Sequence, residues 1–316
     1  MNDGALASNE AQLTNCIFEQ PWWLDAVAPG RWSAVECAKE GKTYARMAYT
    51  TTRKLGLNCI VQPRLTQTLG PALAPTNEKQ ALRLGREKEW LTELVEKLPP
   101  FDYFQQKWHY SIQNWLPFYW RGFEATTNFT YVLEDLSDPQ KVWKGFHEKT
   151  QYEIKKARKT LTVRTDLGVD VLWQLVGQTF GRQNKDVPYT RDLVERLEAA
   201  TRQRGASQMF FAEDKDKQIH AAVFLVWDAR SAYYLMSGSN PALRNSGGLR
   251  LLVDEAIKFT AERSQRFDFE GSMIEPVERF CRNFGAVQKP YYVVRGFSRR
   301  MRVIQGFRDM LRGAAR

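Results

Sequence analysis

The chain has 316 residues, of which 43% are hydrophobic, and its formal net charge is +10 at pH 7. This length and composition suffice for two domains with substantial hydrophobic cores, and no apolar run approaches the roughly 18 residues that a membrane-spanning helix requires. The positive charge indicates an acidic partner, which is RNA, a nucleotide, a phosphate-bearing precursor or an anionic membrane surface.

The first fifteen residues are polar and lack the basic and apolar segments of a signal peptide. We therefore predict a disordered tail at residues 1–15 and a cytoplasmic protein. The four cysteines are far apart and have no CxxC spacing, and the chain has only three histidines. No metal site is expected, and the cysteines are interpreted as reduced core residues.

The first half of the chain reads as one mixed α/β unit. Apolar periodicity and turn residues predict, in order, a helix from near Pro21 to Val27, a hairpin of strands at 32–38 and 43–51, a strand at 57–62, a helix at 78–98, a strand at 102–107, a short helix at 114–120 and a strand at 126–133. The loop after the third strand carries Arg64 and Gln67, which are polar candidates for contacting a substrate.

A basic helical segment at about 142–161 joins the two halves. Its Lys149, Tyr152 and Lys156 fall at i, i+3 and i+7 on one face. Such a face is either a solvated surface or a contact for phosphate groups, and the pattern leaves both interpretations open.

The second half is predicted to continue with helices at 169–183 and 190–204 and a hairpin of buried strands at 221–227 and 232–236. The next helix begins on a polar loop made of Arg244, Asn245, Ser246, Gly247 and Gly248. The unpaired amides and the dipole of this helix start form a seat for phosphate or another anion, to which Arg244 adds its charge. The alternative is that the glycines only cap the helix and permit a tight turn.

A strand with two different faces follows that helix at 266–271. The period of two places Phe267 and Phe269 on one face and Asp268 and Glu270 on the other. Carboxylates on a strand between helices are either paired with Lys or Arg or lie in a cleft, where they bind a cationic group or act as a base.

The order strand, strand, Arg-x-x-Gly-Gly loop, helix, strand, helix, strand resembles the acyl-transfer core of the GNAT superfamily. Phe-Asp-Phe-Glu-Gly at 267–271, followed by a helix at 274–284 and Gly285-Ala286, resembles more narrowly the Fem-type branch, the peptidoglycan-bridge aminoacyltransferases and their relatives. One departure is Leu249, because acyl-CoA loops usually have Gly or Ala in that place.

The two halves repeat the same order of elements, and Gly122 and Gly285 occupy matching positions 163 residues apart. We therefore predict a mixed α+β (α/β) fold of two tandem GNAT-like units, each a twisted mixed sheet flanked by helices, and the resemblance implies the same fused pair. The predicted boundaries are 16–138 for a degenerate unit on the acceptor side, 139–296 for the catalytic unit and 297–316 for a basic amphipathic helix.

The resemblance implies an N-acyltransferase that uses acyl-CoA or aminoacyl-tRNA as donor and no metal. The donor carbonyl is expected where the strands at 221–227 and 232–238 splay apart. Direct attack by an amine then needs a base, which is Glu270 or Asp268, and Tyr234 is a candidate proton donor to the leaving group.

The same resemblance assigns the binding residues. The loop 244–248 binds the donor, and Lys149, Tyr152 and Lys156 contact a phosphate-bearing substrate, because Lys-Thr-x-Tyr resembles the helix that precedes the second unit of Fem-type enzymes. Arg64 and Gln67 are predicted from the sequence itself: the first half lacks the Gly-Gly helix start and the Asp-x-Glu strand, so it is expected to wall off the acceptor cleft, with these two residues as polar candidates. The expected acceptor is an amine of a cell-envelope or sugar-nucleotide precursor.

Two other functions fit the same residues. One is an acyl-CoA-dependent N-acetyltransferase that acts on an amino sugar or a small amine, and the other is a non-catalytic basic module that binds RNA or a membrane surface. The predicted helix at 297–316 either docks on the core or lies on an anionic membrane at the inner face. The expected partners are a phosphate-bearing or lipid-linked precursor and tRNA.

Overall fold

The computed structural model describes residues 13–271 and 273–303. The N-terminal half contains α1 (Pro21–Val27), β1 (Trp32–Lys39), β2 (Lys42–Lys54), β3 (Leu57–Val61), β4 (Pro71–Leu73), α2 (Gln80–Glu96), β5 (Tyr103–Lys107), α3 (Leu116–Tyr119) and β6 (Glu124–Leu133). The C-terminal half contains α4 (Pro139–Gly145), α5 (Glu148–Ala157), β7 (Leu161–Arg164), α6 (Val169–Gly181), α7 (Arg191–Arg202), β8 (Ser207–Asp214), β9 (Ile219–Trp227), β10 (Ser231–Ser239), α8 (Gly248–Ala261), β11 (Arg266–Asp268), α9 (Glu275–Arg282) and β12 (Val287–Phe297).

These strands form one 12-stranded mixed sheet in the order β1-β2-β3-β5-β12-β6-β11-β10-β9-β8-β7, with β4 paired to β2. The order is symmetric near its centre. Strand β12, the last of the C-terminal half, lies beside β5 of the N-terminal half, and β6, the last of the N-terminal half, lies beside β11 of the C-terminal half. Strand β12 pairs antiparallel with β5 and β6, and β6 pairs antiparallel with β11. The two halves are therefore joined by strand exchange, which the sequence did not predict.

Helices cover both faces of the sheet in the C-terminal half. Phe224 and Val226 of β9 belong to the hydrophobic cluster that includes residues of α1, α6 and α7. Val223 and Leu225 point to the other face and belong to the cluster that includes residues of α5, α8 and α9. A strand covered on both faces needs an almost continuous apolar run, so the buried strand predicted at 221–227 is confirmed.

The basic segment at 142–161 is not one helix. It contains α4 and α5 and ends in β7. Phe146, at the break, is buried with its ring centroid 5.0 Å from that of Phe284, and His147 begins α5 by accepting a hydrogen bond from the Lys149 amide (3.2 Å). The apolar periodicity continued through the break because Phe146 is itself a core residue.

Both predicted ends of the chain lie partly outside the described residues. The tail predicted at 1–15 is described only from residue 13, and the C-terminal helix predicted at 297–316 only to residue 303. Residues 299–303 are helical. Among the described helices, none combines the length and the hydrophobicity needed to cross a membrane.

Candidate active site

The sheet opens between β10 and β11, and the prediction of a gap between the strands at 221–227 and 232–238 is wrong. Those two strands are β9 and β10, which pair along their length, from Ala232 opposite Trp227 to Ser239 opposite Ala221. Strand β10 pairs with β11 only over three positions, Ser231 to Tyr233. After these positions β10 and β11 separate. The chain that follows β11 pairs with β6 instead, where the Phe269 amide donates a hydrogen bond to the Tyr131 carbonyl (2.9 Å).

A β-bulge lies in β10 where this gap begins. The register of β10 against β9 shifts between Tyr234 and Met236. The bulge leaves Leu235 outside the paired register, so its backbone is displaced from the ladder beside the gap. Such an arrangement supplies an amide for the oxygen of a carbonyl group placed between the strands.

Asp268 ends β11 and is 4% exposed. Its Oδ1 atom accepts hydrogen bonds from Thr130 Oγ1 (2.5 Å) and from the Glu270 amide (2.8 Å). Burial raises the pKa of Asp268 to about 6, although these two hydrogen bonds oppose the shift. Asp268 forms no ion pair with any described residue, so the interpretation of a structural Lys or Arg pair does not hold for it.

Glu270 lies in a strained turn immediately after β11. Its φ is 58° and that of Gly271 is 56°, and a Cβ atom on Gly271 would come 2.2 Å from the Phe129 carbonyl oxygen. The Oε1 atom of Glu270 is buried and has no hydrogen-bond partner among the described residues. Burial, and then the charge of Asp268, raise the pKa of Glu270 well above its usual value. A strained backbone beside a buried carboxyl oxygen that lacks a hydrogen-bond partner is typical of a functional site.

Lys107, from the N-terminal half, acts on Glu270 through its charge. Its charge lowers the pKa of Glu270, and burial lowers the pKa of Lys107 itself. Lys107 ends β5, and its amide donates to Gln62 Oε1 (2.7 Å). Sequence reasoning missed Lys107, although the offset of 163 residues between Gly122 and Gly285 also relates Lys107 to Glu270.

The structure brings the two predicted acceptor residues to the same place. Gln67 donates a side-chain hydrogen bond to the Glu270 carbonyl, and the charge of Arg64 lowers the pKa of Lys107. Tyr189, which the sequence analysis also missed, lies in the loop between α6 and α7, and burial and the charge of Glu270 raise its pKa to about 12. Nothing in the local pattern around Tyr189 marked it, because its loop is distant in sequence from Glu270.

Tyr234 lies apart from this cluster. Its hydroxyl group is hydrogen-bonded to Ser237 Oγ (2.6 Å), and its ring packs against those of Phe269 and Phe280, with centroids 6.3 and 6.4 Å away. Burial raises its pKa. Tyr234 therefore lies on the part of β10 that has left β11, on the side of α9.

The predicted donor loop forms a 3-10 turn, Arg244–Ser246, ahead of α8. Gly247 has a φ of 80°, and a Cβ atom there would come 2.9 Å from the Glu153 carbonyl oxygen of α5. This close approach accounts for Gly247 by packing alone. The start of α8 nevertheless has free donors, because the amides of Leu249 and Arg250 have no acceptor among the described residues.

Helix α5 lies against this helix start. Glu153 Oε2 forms an ion pair with Arg250 Nη1 (3.0 Å). Lys149, Tyr152 and Lys156 are on the exposed face of α5, with Tyr152 67% exposed. Their helix approaches the start of α8 at Glu153 and Ala157, and no described contact joins these three side chains to Asp268 or Glu270.

Nucleophilic cysteine chemistry has no support in the described residues. All four cysteines are buried and free, and burial raises the pKa of Cys281 to about 12, which keeps its thiol protonated and weakly nucleophilic. No group of three His, Cys, Asp or Glu side chains in residues 13–271 and 273–303 is placed to hold a metal ion.

Comparisons with known proteins identify a matching domain family and similar folds. Residues 145–273 match the model of the Acetyltransferase (GNAT) domain family. Among solved structures, FemX is 11% identical with a TM-score of 0.64, covering 87% of this chain and 91% of that chain. The C-terminal domain (DUF2156) of a putative lysylphosphatidylglycerol synthetase from Agrobacterium fabrum is 13% identical with a TM-score of 0.52, covering 89% of both chains.

A conserved protein of unknown function from Bacteroides thetaiotaomicron is 10% identical with a TM-score of 0.53, covering 88% of this chain and 90% of that chain. None of the curated protein sequences matches this chain. The sequence-based expectations of a GNAT-type fold and of an acyltransferase are confirmed. The chain is an acyltransferase that carries a GNAT domain at residues 145–273, within a fold that it shares with FemX.

Proposed function

We propose that this protein transfers an acyl group from acyl-CoA to a primary amine by direct attack, with Glu270 as the general base. The observation that carries this proposal is the Glu270 carboxyl, whose Oε1 atom is buried without a hydrogen-bond partner among the described residues, in a strained turn beside the gap between β10 and β11. Its raised pKa makes the Glu270 carboxylate a stronger base than an exposed glutamate. The acetyltransferase family match supports acyl-CoA as donor and gives no support to aminoacyl-tRNA.

The reaction begins when the amine nitrogen attacks the thioester carbonyl carbon. The backbone at the Leu235 bulge stabilises the oxyanion that forms, a contribution of roughly 3 kcal/mol per donor in comparable sites. Glu270 takes the proton that the amine loses. Asp268 positions the turn by accepting a hydrogen bond from the Glu270 amide. The carbon–sulfur bond then breaks, and Tyr234 gives a proton to the thiolate.

The donor carrier binds at the start of α8. The free amides of Leu249 and Arg250 and the positive end of the helix dipole attract the pyrophosphate of CoA, and Arg244 and Gly247 lie at the same turn. The exposed face of α5, with Lys149, Tyr152 and Lys156, adds positive charge beside it for a phosphate group.

The proposed acceptor is an amine of a phosphate-bearing or lipid-linked envelope precursor, and Arg64 and Gln67 contact it. Support comes from the hydrogen bond that Gln67 donates to the Glu270 carbonyl and from the effect of the Arg64 charge on Lys107. The resemblance to Fem-type enzymes, and the shared fold with a domain named for lysylphosphatidylglycerol synthesis, support the same class of acceptor.

Release of CoA from acetyl-CoA in the presence of an amine panel tests this proposal. We expect Glu270→Gln to lower kcat by about 10²- to 10⁴-fold, because general-base catalysis contributes that much. The matched control is Glu262→Gln, since Glu262 is 80% exposed at the end of α8. A folded Glu270→Gln enzyme with the wild-type rate would refute the assignment.

A further inference from the structure

A cavity of about 350 Å³ lies between the β2–β3 region and the loop that joins α6 and α7. Its wall includes Tyr189, whose pKa is raised by burial and by the charge of Glu270, one of the acid pair Asp268 and Glu270. Its walls include Arg31, Arg64, Arg196, Gln62 and Tyr189, and none of the described residues that line it is acidic. The cavity therefore concentrates positive charge from both halves of the chain, with Arg31 and Arg64 from the N-terminal half and Arg196 from the C-terminal half.

Two of its three arginines have unpaired charges. Arg196 is held in place, because its Nε donates to the Ala26 carbonyl (3.0 Å) and its Nη1 pairs with Asp192. Arg31 and Arg64 form no ion pair with any described acid, and both are exposed. Guanidinium groups that line one cavity repel each other, and an anion between them removes this repulsion while accepting paired N–H donors.

The cavity is connected to the acid pair through two glutamines. Gln62 lies in the cavity wall. Its Oε1 atom accepts a hydrogen bond from the Lys107 amide (2.7 Å), and its Nε2 atom donates one to the Thr66 carbonyl (2.6 Å). Gln67, farther along the same loop, donates to the Glu270 carbonyl. Tyr189 lines the cavity on the opposite side and lies within the electrostatic influence of Glu270. A molecule seated in the cavity thus extends toward the proposed base.

We infer that this cavity binds the anionic group of the acceptor, so that the enzyme selects primary amines that also carry a carboxylate or a phosphate. The inference rests on the proposed function, because it concerns the acceptor of the same reaction. The volume is at the small end of ligand sites, which fits one part of an acceptor and not a whole acyl-CoA. The arginines also favour the neutral form of the amine, which is the form that attacks.

Matched pairs of amines test this inference. The first pair is an amino acid and its carboxamide, and the second is glucosamine 6-phosphate and glucosamine, so that the two pairs distinguish carboxylate from phosphate. Binding is measured by titration calorimetry, and turnover by CoA release from acetyl-CoA. We expect the anionic member of at least one pair to bind about tenfold or more tightly than its neutral partner, because hydrogen bonds to charged groups contribute this much.

Arg31→Gln is expected to raise Kd and KM for that anionic amine by about tenfold and to leave the neutral amine unchanged. Arg64→Gln is expected to raise Kd for the anionic amine by more than it raises Kd for the neutral amine, because Arg64 also contacts the acceptor in the proposed function. Arg202→Gln is the charge-matched control, because Arg202 is 75% exposed on α7 and does not line the cavity. Equal affinity for both members of each pair, or equal effects of the three variants, would overturn the inference.

Failure of the proposed function gives a different result. In that case no amine releases CoA, or Glu270→Gln is fully active, while calorimetry still reports whether the anionic amine binds and whether Arg31→Gln and Arg64→Gln weaken it. Weakened binding without turnover supports the anion site and refutes the acyl transfer. Absence of binding by every anionic amine refutes the anion site.

Discussion

The ends of β5 and β11 occupy equivalent places in the two halves of the sheet, with β12 beside one and β6 beside the other. β11 ends in Asp268 and leads to Glu270, whereas the residues at the same offset in β5 are Gln105 and Lys107. The difference teaches that equivalent positions in the two halves carry side chains of opposite charge, an acid in one half and a lysine in the other. The second half provides the proposed base, and the first half provides the cation that adjusts it.

The helices that precede these two strands differ in the same way. Helix α8 starts at Gly248 with free amides and the exposed basic face of α5 beside it. Helix α2, its counterpart, also starts without a side-chain cap, after Lys79, but α3, which packs against α2, carries no basic residue. Anion binding at a helix start therefore fits the second half, and acceptor binding fits the first.

The largest effect is expected from removing the two opposed charges separately. Glu270→Gln removes the base, whereas Lys107→Gln is expected to lower kcat by only about tenfold, since Lys107 acts on Glu270 through its charge. Because Lys107 lowers the pKa of Glu270, its loss should move the acidic limb of the kcat/KM profile to higher pH. The kcat/KM profile is measured between about pH 5 and 9, roughly the range where such a carboxyl titrates. An acidic limb that does not move would show that Lys107 does not influence the base.

The turn after β11 gives the next largest effect. Gly271→Ala is expected to lower the free energy of unfolding by about 3 kcal/mol or more, because the added Cβ meets the Phe129 carbonyl oxygen at 2.2 Å and the φ is positive. Gly30→Ala is the matched control, with a φ of +65° and no atom within 4 Å of the added Cβ, and it should cost about 1 kcal/mol. Urea unfolding measures both, and equal losses would show that β6 does not confine this turn.

Asp268 is expected to make stability depend on pH. Its folded pKa is about 6, raised from 3.8, so between these values the folded protein retains a proton that the unfolded chain has lost. The contribution of this group to the free energy of unfolding therefore falls as pH rises through that window, by up to about 3 kcal/mol.

Asp268→Asn keeps an acceptor for Thr130 and for the Glu270 amide and removes this loss. We expect it to be more stable than the wild type at pH 8 and to differ little near pH 4, by urea unfolding. A constant difference at both pH values would show that Asp268 does not titrate as described. Asn at this position should also move the acidic limb of the rate profile to lower pH, because the charge of Asp268 raises the pKa of Glu270.

The smallest effect is expected at the surface. Lys149→Gln should raise KM for acyl-CoA about two- to fivefold at low salt, because exposed charges contribute about 1 kcal/mol or less, and the effect should diminish as salt increases. Lys79→Gln, at the start of α2, is the control in the other half and should leave KM unchanged. Equal effects of the two variants would mean that net charge alone attracts the donor.

The sequence by itself determined the order of elements and the chemical type of the catalytic unit. The apolar run at 221–227 predicted a strand covered on both faces, because this pattern depends on local periodicity. The alternation predicted at 266–271 extends only to Asp268, because β11 ends there and Glu270 has a positive φ. The roles of Asp268, Glu270, Arg64 and Gln67 stay predictions, although the structure brings these residues together.

Only the tertiary structure decided where the sheet opens and what faces Glu270. Strand pairing is a choice between segments distant in sequence, so the exchange of β6 and β12 and the gap between β10 and β11 have no local signature. The positive φ of Glu270 follows from the confinement of Gly271 by β6, which periodicity does not encode. Lys107 joins the site for the same reason, since the folded sheet alone carries the end of β5 to the end of β11.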